Sequence, residues 1–167
     1  MGQAGSVSLN EAALAAYLQS HITGSESAEG LAQRLLEGDE HDEDVKRFLK
    51  RFVGEIREER GYVESIMERL DRDRSLIRRG LDAATELAGM AGELATTASP
   101  GPFADLEALA VGVWGKRLLW GTLVKLAEVD ERSQSLPLAD LSDQAERQEV
   151  ELLRLRNDAI VPSLSAG

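Results

Sequence analysis

Cysteine is absent from the chain, which excludes disulfide stapling, thiolate metal sites and thiol redox chemistry. Aromatic residues make up only 4% of it, so a core must be filled mainly by Leu, Ala, Val and Ile, as in helical bundles. Positive charge is scarce: 19 Lys plus Arg face 30 Asp plus Glu, a formal net charge of −11. That balance argues against nucleic acid and against anionic membrane surfaces as partners. No uncharged apolar run approaches the roughly 20 residues needed to span a bilayer. The first twenty residues lack a basic start, and Asn10 and Glu11 interrupt any apolar run there, so no secretory signal is expected and the cytoplasm is the expected location. No nucleophile elbow, phosphate loop or catalytic triad is found, and no internal repeat or low-complexity tract.

What is present is helical periodicity. The 167 residues suit one domain, 1–167, with 1–7 and 161–167 as flexible tails. Ser8 and Glu11 form a capping box that predicts a helix from about Leu9 to Glu37, stopped by Gly38. Asp42 then caps a helix to about Asp71, and the short acidic connection, which holds His41, predicts that the two pack antiparallel. Ser75 opens a weaker helix to about Leu94, long enough to act as a crossover between helix pairs. After the break Thr96 to Pro102 come a nearly all-apolar helix, about Phe103 to Glu128, a polar turn from Asp130 to Pro137, and a last helix, about Leu138 to Ile160, ending before Pro162. Gly112, Gly115 and Gly121 weaken the all-apolar helix, a cost most simply offset by close approach of neighbouring backbones. Its apolar girth also predicts a homodimer through 103–128.

Four of these helices carry one polar residue in an otherwise apolar stripe. His21 interrupts Leu14, Leu18, Ser25, Ala28, Ala32 and Leu35. Glu59 interrupts Val45, Leu49, Phe52, Ile56, Val63, Ile66 and Leu70. Lys116 lies within Leu109, Val113, Trp120, Leu123 and Ala127, and Gln148 within Leu138, Leu141, Ala145, Leu152, Leu155 and Ala159. Steps of three and four residues place each on the face its helix buries. All four are near mid-helix, so side-by-side packing predicts a shared polar layer. Such a layer either fixes helix register or lines a small polar cavity for a ligand of unnamed chemistry, with Tyr17 and Tyr62 at its rim.

Four stretches carry a family resemblance: Tyr17-Leu18-Gln19-Ser20-His21-Ile22-Thr23-Gly24, Glu55-Ile56-Arg57-Glu58-Glu59-Arg60, Leu106-Glu107-Ala108-Leu109-Ala110-Val111-Gly112-Val113-Trp114-Gly115-Lys116, and Ala145-Glu146-Arg147-Gln148. Together with two helix pairs joined by a long crossover, they resemble a family of small bacterial ferritin-like proteins of mostly uncharacterised activity. The resemblance implies an all-α, ferritin-like four-helix bundle and no settled reaction. In that family the position of Trp114 is often acidic, and the departure here weakens any metal site that uses it.

The usual ferritin-like di-metal site needs two Glu-x-x-His pairs. The residues three before His21 and His41 are Leu18 and Gly38, so no such pair exists. A reduced set of His21, Glu55, Glu59 and Glu149 is the alternative, for a di-iron or di-manganese carboxylate oxidase. Lys116 argues against it, because its ammonium supplies the positive charge a cation otherwise would. The sequence therefore favours a protein without a metal or other cofactor, acting in structure, interaction or ligand binding.

Overall fold

A computed structural model describes residues 9–70 and 101–165. Every regular element among them is helical: α1 (Glu11–Glu37), α2 (Glu43–Leu70), α3 (Pro102–Leu126), the single turn α4 (Glu131–Gln134) and α5 (Leu138–Leu164). The expected helix over 75–94 lies outside the described residues, as do Ser8 and the tail 1–7.

Caps explain most boundaries. The first cap is Asn10, not Ser8: its Oδ1 accepts from the Ala13 N–H at 3.1 Å, and α1 starts at Glu11. Asp42 caps α2 as its position predicts, accepting from the Val45 N–H at 2.9 Å. Glu43 and Asp44 in the first turn complement the helix dipole. Gly101 has φ +134°, a region that favours glycine, and hands the chain to Pro102 at the first position of α3. The segment expected as a polar turn contains α4, and it is partly interior. Asp130 and Ser133 are buried, joined by a 3.1 Å bond from Ser133 Oγ, while Arg132 ties Asp130 to Glu11 at the start of α1. The last helix runs past Pro162 to Leu164. The proline removes only one amide donor near the helix end, and Ser165 closes the last turn by donating both N–H and Oγ–H to the Val161 carbonyl.

α1 packs mainly on α2, and α3 mainly on α5, with α1 against α3 and α2 against α5 completing the layers. Two hydrophobic half-cores give the directions. One gathers the start of α1 (Leu14, Leu18, Ile22), the end of α2 (Val63, Ile66, Leu70), the end of α3 (Leu119, Trp120, Leu123) and the start of α5 (Leu138, Leu141, Ala145). The other gathers Ala32, Val45 to Ile56 of α2, Leu106 to Val113 of α3, and Leu152 and Leu155. Hence α1 and α2 run antiparallel, as do α3 and α5, whereas α2 and α3 run the same way. Leu70 and Gly101 therefore lie at opposite ends of the molecule.

Candidate functional site

Between the two half-cores lie three buried polar residues, one each from α2, α3 and α5. Glu59 follows Ile56 and precedes Val63; Lys116 separates Val113 from Leu119; Gln148 separates Ala145 from Leu152. They are 2%, 9% and 3% exposed. Lys116 Nζ donates to Glu59 Oε2 at 2.5 Å and also to Gln148 Oε1. It lies 5.4 Å from the centre of the Phe52 ring, a favourable position for a cation. Gln148 Nε2 donates to Glu55 Oε2 at 2.7 Å and to Glu59 Oε1 at 3.3 Å. The amide thus offers its oxygen to the ammonium and its nitrogen to two carboxylates. Neither a hydrophobic residue nor a glutamate at this position would do both. Burial pushes the Glu59 carboxyl up despite Lys116, and burial pushes the Lys116 ammonium down despite Glu59.

The fourth expected member stands apart. His21 is half-buried, forms no hydrogen bond to the layer, and packs edge-on against Tyr17 with ring centroids 4.7 Å apart. Ile22 takes the buried position instead. The reason is volume. Ser20, Gly24, Ser25 and Ala28 form the middle of α1 and are too small to fill the space toward α3, which leaves a cavity of about 180 Å³ with His21 in its wall. α2 contributes Phe52, Ile56, Glu59, Arg60 and Val63 to this cavity, and α3 contributes Gly112, Val113, Gly115, Lys116, Leu119 and Trp120. The polar layer therefore forms part of the lining of an otherwise mainly apolar space.

Hydrogen-bond supply around the cavity is uneven. Ser20 and Ser25 donate to carbonyls of their own helix, both at 2.7 Å. The Trp120 indole N–H and Arg60 Nη1 are buried and have no partner among the described residues. Arg60 Nη2 bonds Glu29 at 2.6 Å, and Glu29 also accepts from Arg57 at 2.6 Å. Partial burial would raise the Glu29 carboxyl, but the two arginines hold it below its ordinary value. Burial lowers the His21 imidazole below its usual 6.5, so it is neutral at pH 7.

Arg60 and the unpaired indole of Trp120 were not singled out as site residues by sequence. Trp120 carried a signal nonetheless, since an indole N–H on a buried stripe needs an acceptor. Tyr17 and Tyr62 are absent from the cavity wall: Tyr17 pairs its hydroxyl with Thr122 Oγ1 at 3.1 Å, and Tyr62 packs on a half-core. His41, which lies in the short acidic connection, is buried, and its Nε2 has no partner among the described residues.

The reduced metal set is not gathered. Glu149 pairs with Arg117 on an exposed flank of α3 and α5, Glu55 pairs with Gln148 and Arg51, and the Lys116 ammonium stands against Glu59. Among the described residues no three His, Asp or Glu side chains are grouped as a metal ion requires. No helix among them is long and apolar enough to cross a membrane. No family model, curated protein or solved structure matches the chain.

Proposed function

We propose that this chain is a ferritin-like four-helix bundle, with residues 71–100 as its crossover, that acts as a non-catalytic ligand-binding protein through the cavity between α1, α2 and α3. The carrying observation is a cavity of about 180 Å³ whose mainly apolar lining includes the polar side chains of His21, Glu59 and Lys116. Concave, mostly apolar spaces with a few polar groups are where small ligands bind. The Glu59–Lys116–Gln148 network keeps the helices in register beneath that space. The carboxylate-oxidase alternative draws no support from the donor positions, since Lys116 stands where a cation would have to sit. Titration with toluene, followed by amide and indole NMR shifts, tests the reading. Shifts confined to Gly24, Val113, Gly115 and Trp120 are expected; shifts confined to the exposed face around Trp114, or none, would overturn it.

Self-association is proposed alongside. Val111, Trp114 and Leu118 form an exposed apolar strip on α3, Trp114 being 56% exposed, and Val150 and Leu153 are exposed on neighbouring α5. The ion pairs Arg117–Glu149 and Arg156–Glu107 set these two helices side by side, so the residues share one outer surface. Contiguous patches of this kind mark interaction sites, and the same patch on a second copy would cover it.

A further inference from the structure

Resting on the ligand-binding reading, we propose that the cavity takes a neutral, compact apolar molecule the size of a single substituted ring and rejects ions of either sign. The space begins in the sequence of α1. Leu14, Leu18 and Ile22 bring large side chains to its buried stripe, but Ser25 and Ala28 follow, whereas α2 faces the same space with Phe52, Ile56 and Val63. Two short side chains in succession leave a gap that no neighbour fills. A cavity of about 150 Å³ walled by aliphatic and aromatic groups stays dry and holds benzene, so about 180 Å³ admits one ring with a small substituent.

The charged groups of the lining are already paired. Lys116 donates to Glu59 and Gln148, Glu59 also receives from Gln148, and Arg60 is paired with Glu29 and Glu64. A carboxylate or an ammonium entering the space would lose its water and find no free counter-charge, an unfavourable exchange. Uncharged polar groups are mostly engaged or shut off. Ser20 and Ser25 donate to carbonyls of their own helix, and packing seals the Trp120 indole N–H and Arg60 Nη1, so neither opens onto the space. His21 is neutral, packs edge-on against Tyr17 and brings no charge to pair. What stays open is hydrocarbon, from Phe52, Ile56, Val63, Val113 and Leu119, and an apolar molecule matches it. Entry is available between α1 and α3, where a Cβ at Gly24 or Gly115 would meet nothing within 4 Å.

Calorimetric titration of the full chain with toluene, phenol, benzoate and benzylamine tests the assignment. Toluene is expected to bind about tenfold or more tightly than each of the others, because each of them brings a polar group that the lining leaves without a partner. Ser25→Leu and Ala28→Leu, each checked for helical fold by circular dichroism, fill the space and should abolish toluene binding. Benzoate or benzylamine bound within about tenfold of toluene, or more tightly, would overturn the apolar assignment and leave the ligand-binding reading standing. Phenol bound as tightly as toluene would do the same, by showing His21 to be a polar handle. Toluene binding undiminished in both filled variants would place it outside the cavity, and that result, like binding of none of the four, would sink both.

Discussion

Lys116 is the residue whose removal tells most. Replacing it with Met leaves the Glu59 carboxylate buried and opposed only by Gln148, and losing one partner of a buried pair costs about 3–5 kcal/mol. Adding Glu59→Gln should recover much of that, because the desolvated charge is gone. A double-mutant cycle by urea unfolding measures the coupling; additive effects would mean the pair seen at 2.5 Å contributes nothing specific. The pH dependence has a definite sign. In Lys116→Met the folded carboxyl rises further above its unfolded value near 4.5. Stability is then highest below that value and falls as pH rises toward the folded one. His21 behaves in the opposite sense, since burial holds it below 6.5. Its stabilisation is present above that value and is lost as pH falls through the depressed one. His21→Gln should therefore flatten the loss of stability on acidification relative to wild type, and identical slopes for the two proteins would contradict the assignment.

At the scale of elements, the glycines of α1 and α3 separate stability from function. Close approach of backbones was the expected offset for Gly112, Gly115 and Gly121, but a Cβ at Gly115 or Gly121, as at Gly24, meets nothing within 4 Å, and at Gly112 only Ala28 Cβ at 4.0 Å. Their helical cost is therefore not offset by contact. Gly115→Ala should raise stability by about 0.5–1 kcal/mol, read as an upward shift in melting temperature. A drop would show that the open space is filled in solution. The helices themselves were readable from periodicity, and α2 follows its expected stripe from Val45 to Leu70. Boundaries were less so. Asn10 displaced Ser8 because either residue type can accept the same amide bond, and only backbone geometry chooses between neighbours. Pro162 did not stop α5, because a single missing donor near a helix end is tolerated.

For the whole molecule, light scattering at micromolar concentration should give a dimer mass for the wild type and a monomer mass for Trp114→Glu, if the exposed strip on α3 and α5 is covered by a second copy. A monomeric wild type would remove that proposal. The alternation of apolar and polar residues along each helix determined which faces turn inward, and with it the level at which Glu59, Lys116 and Gln148 meet, because burial of a stripe follows from its own spacing. Sequence could not determine what lies across from a given position. His21 occupies the same kind of stripe as Lys116, yet it borders a cavity and makes no bond to the layer. Its neighbours Gly24, Ser25 and Ala28 leave the gap to α3 unfilled, and Ile22 takes the buried place. Whether Trp120 and Arg60 find acceptors, and how far Glu149 lies from Glu59, depended in the same way on helix rotation and separation, which are set by the summed volumes of side chains from different helices and appear only when the chain is packed.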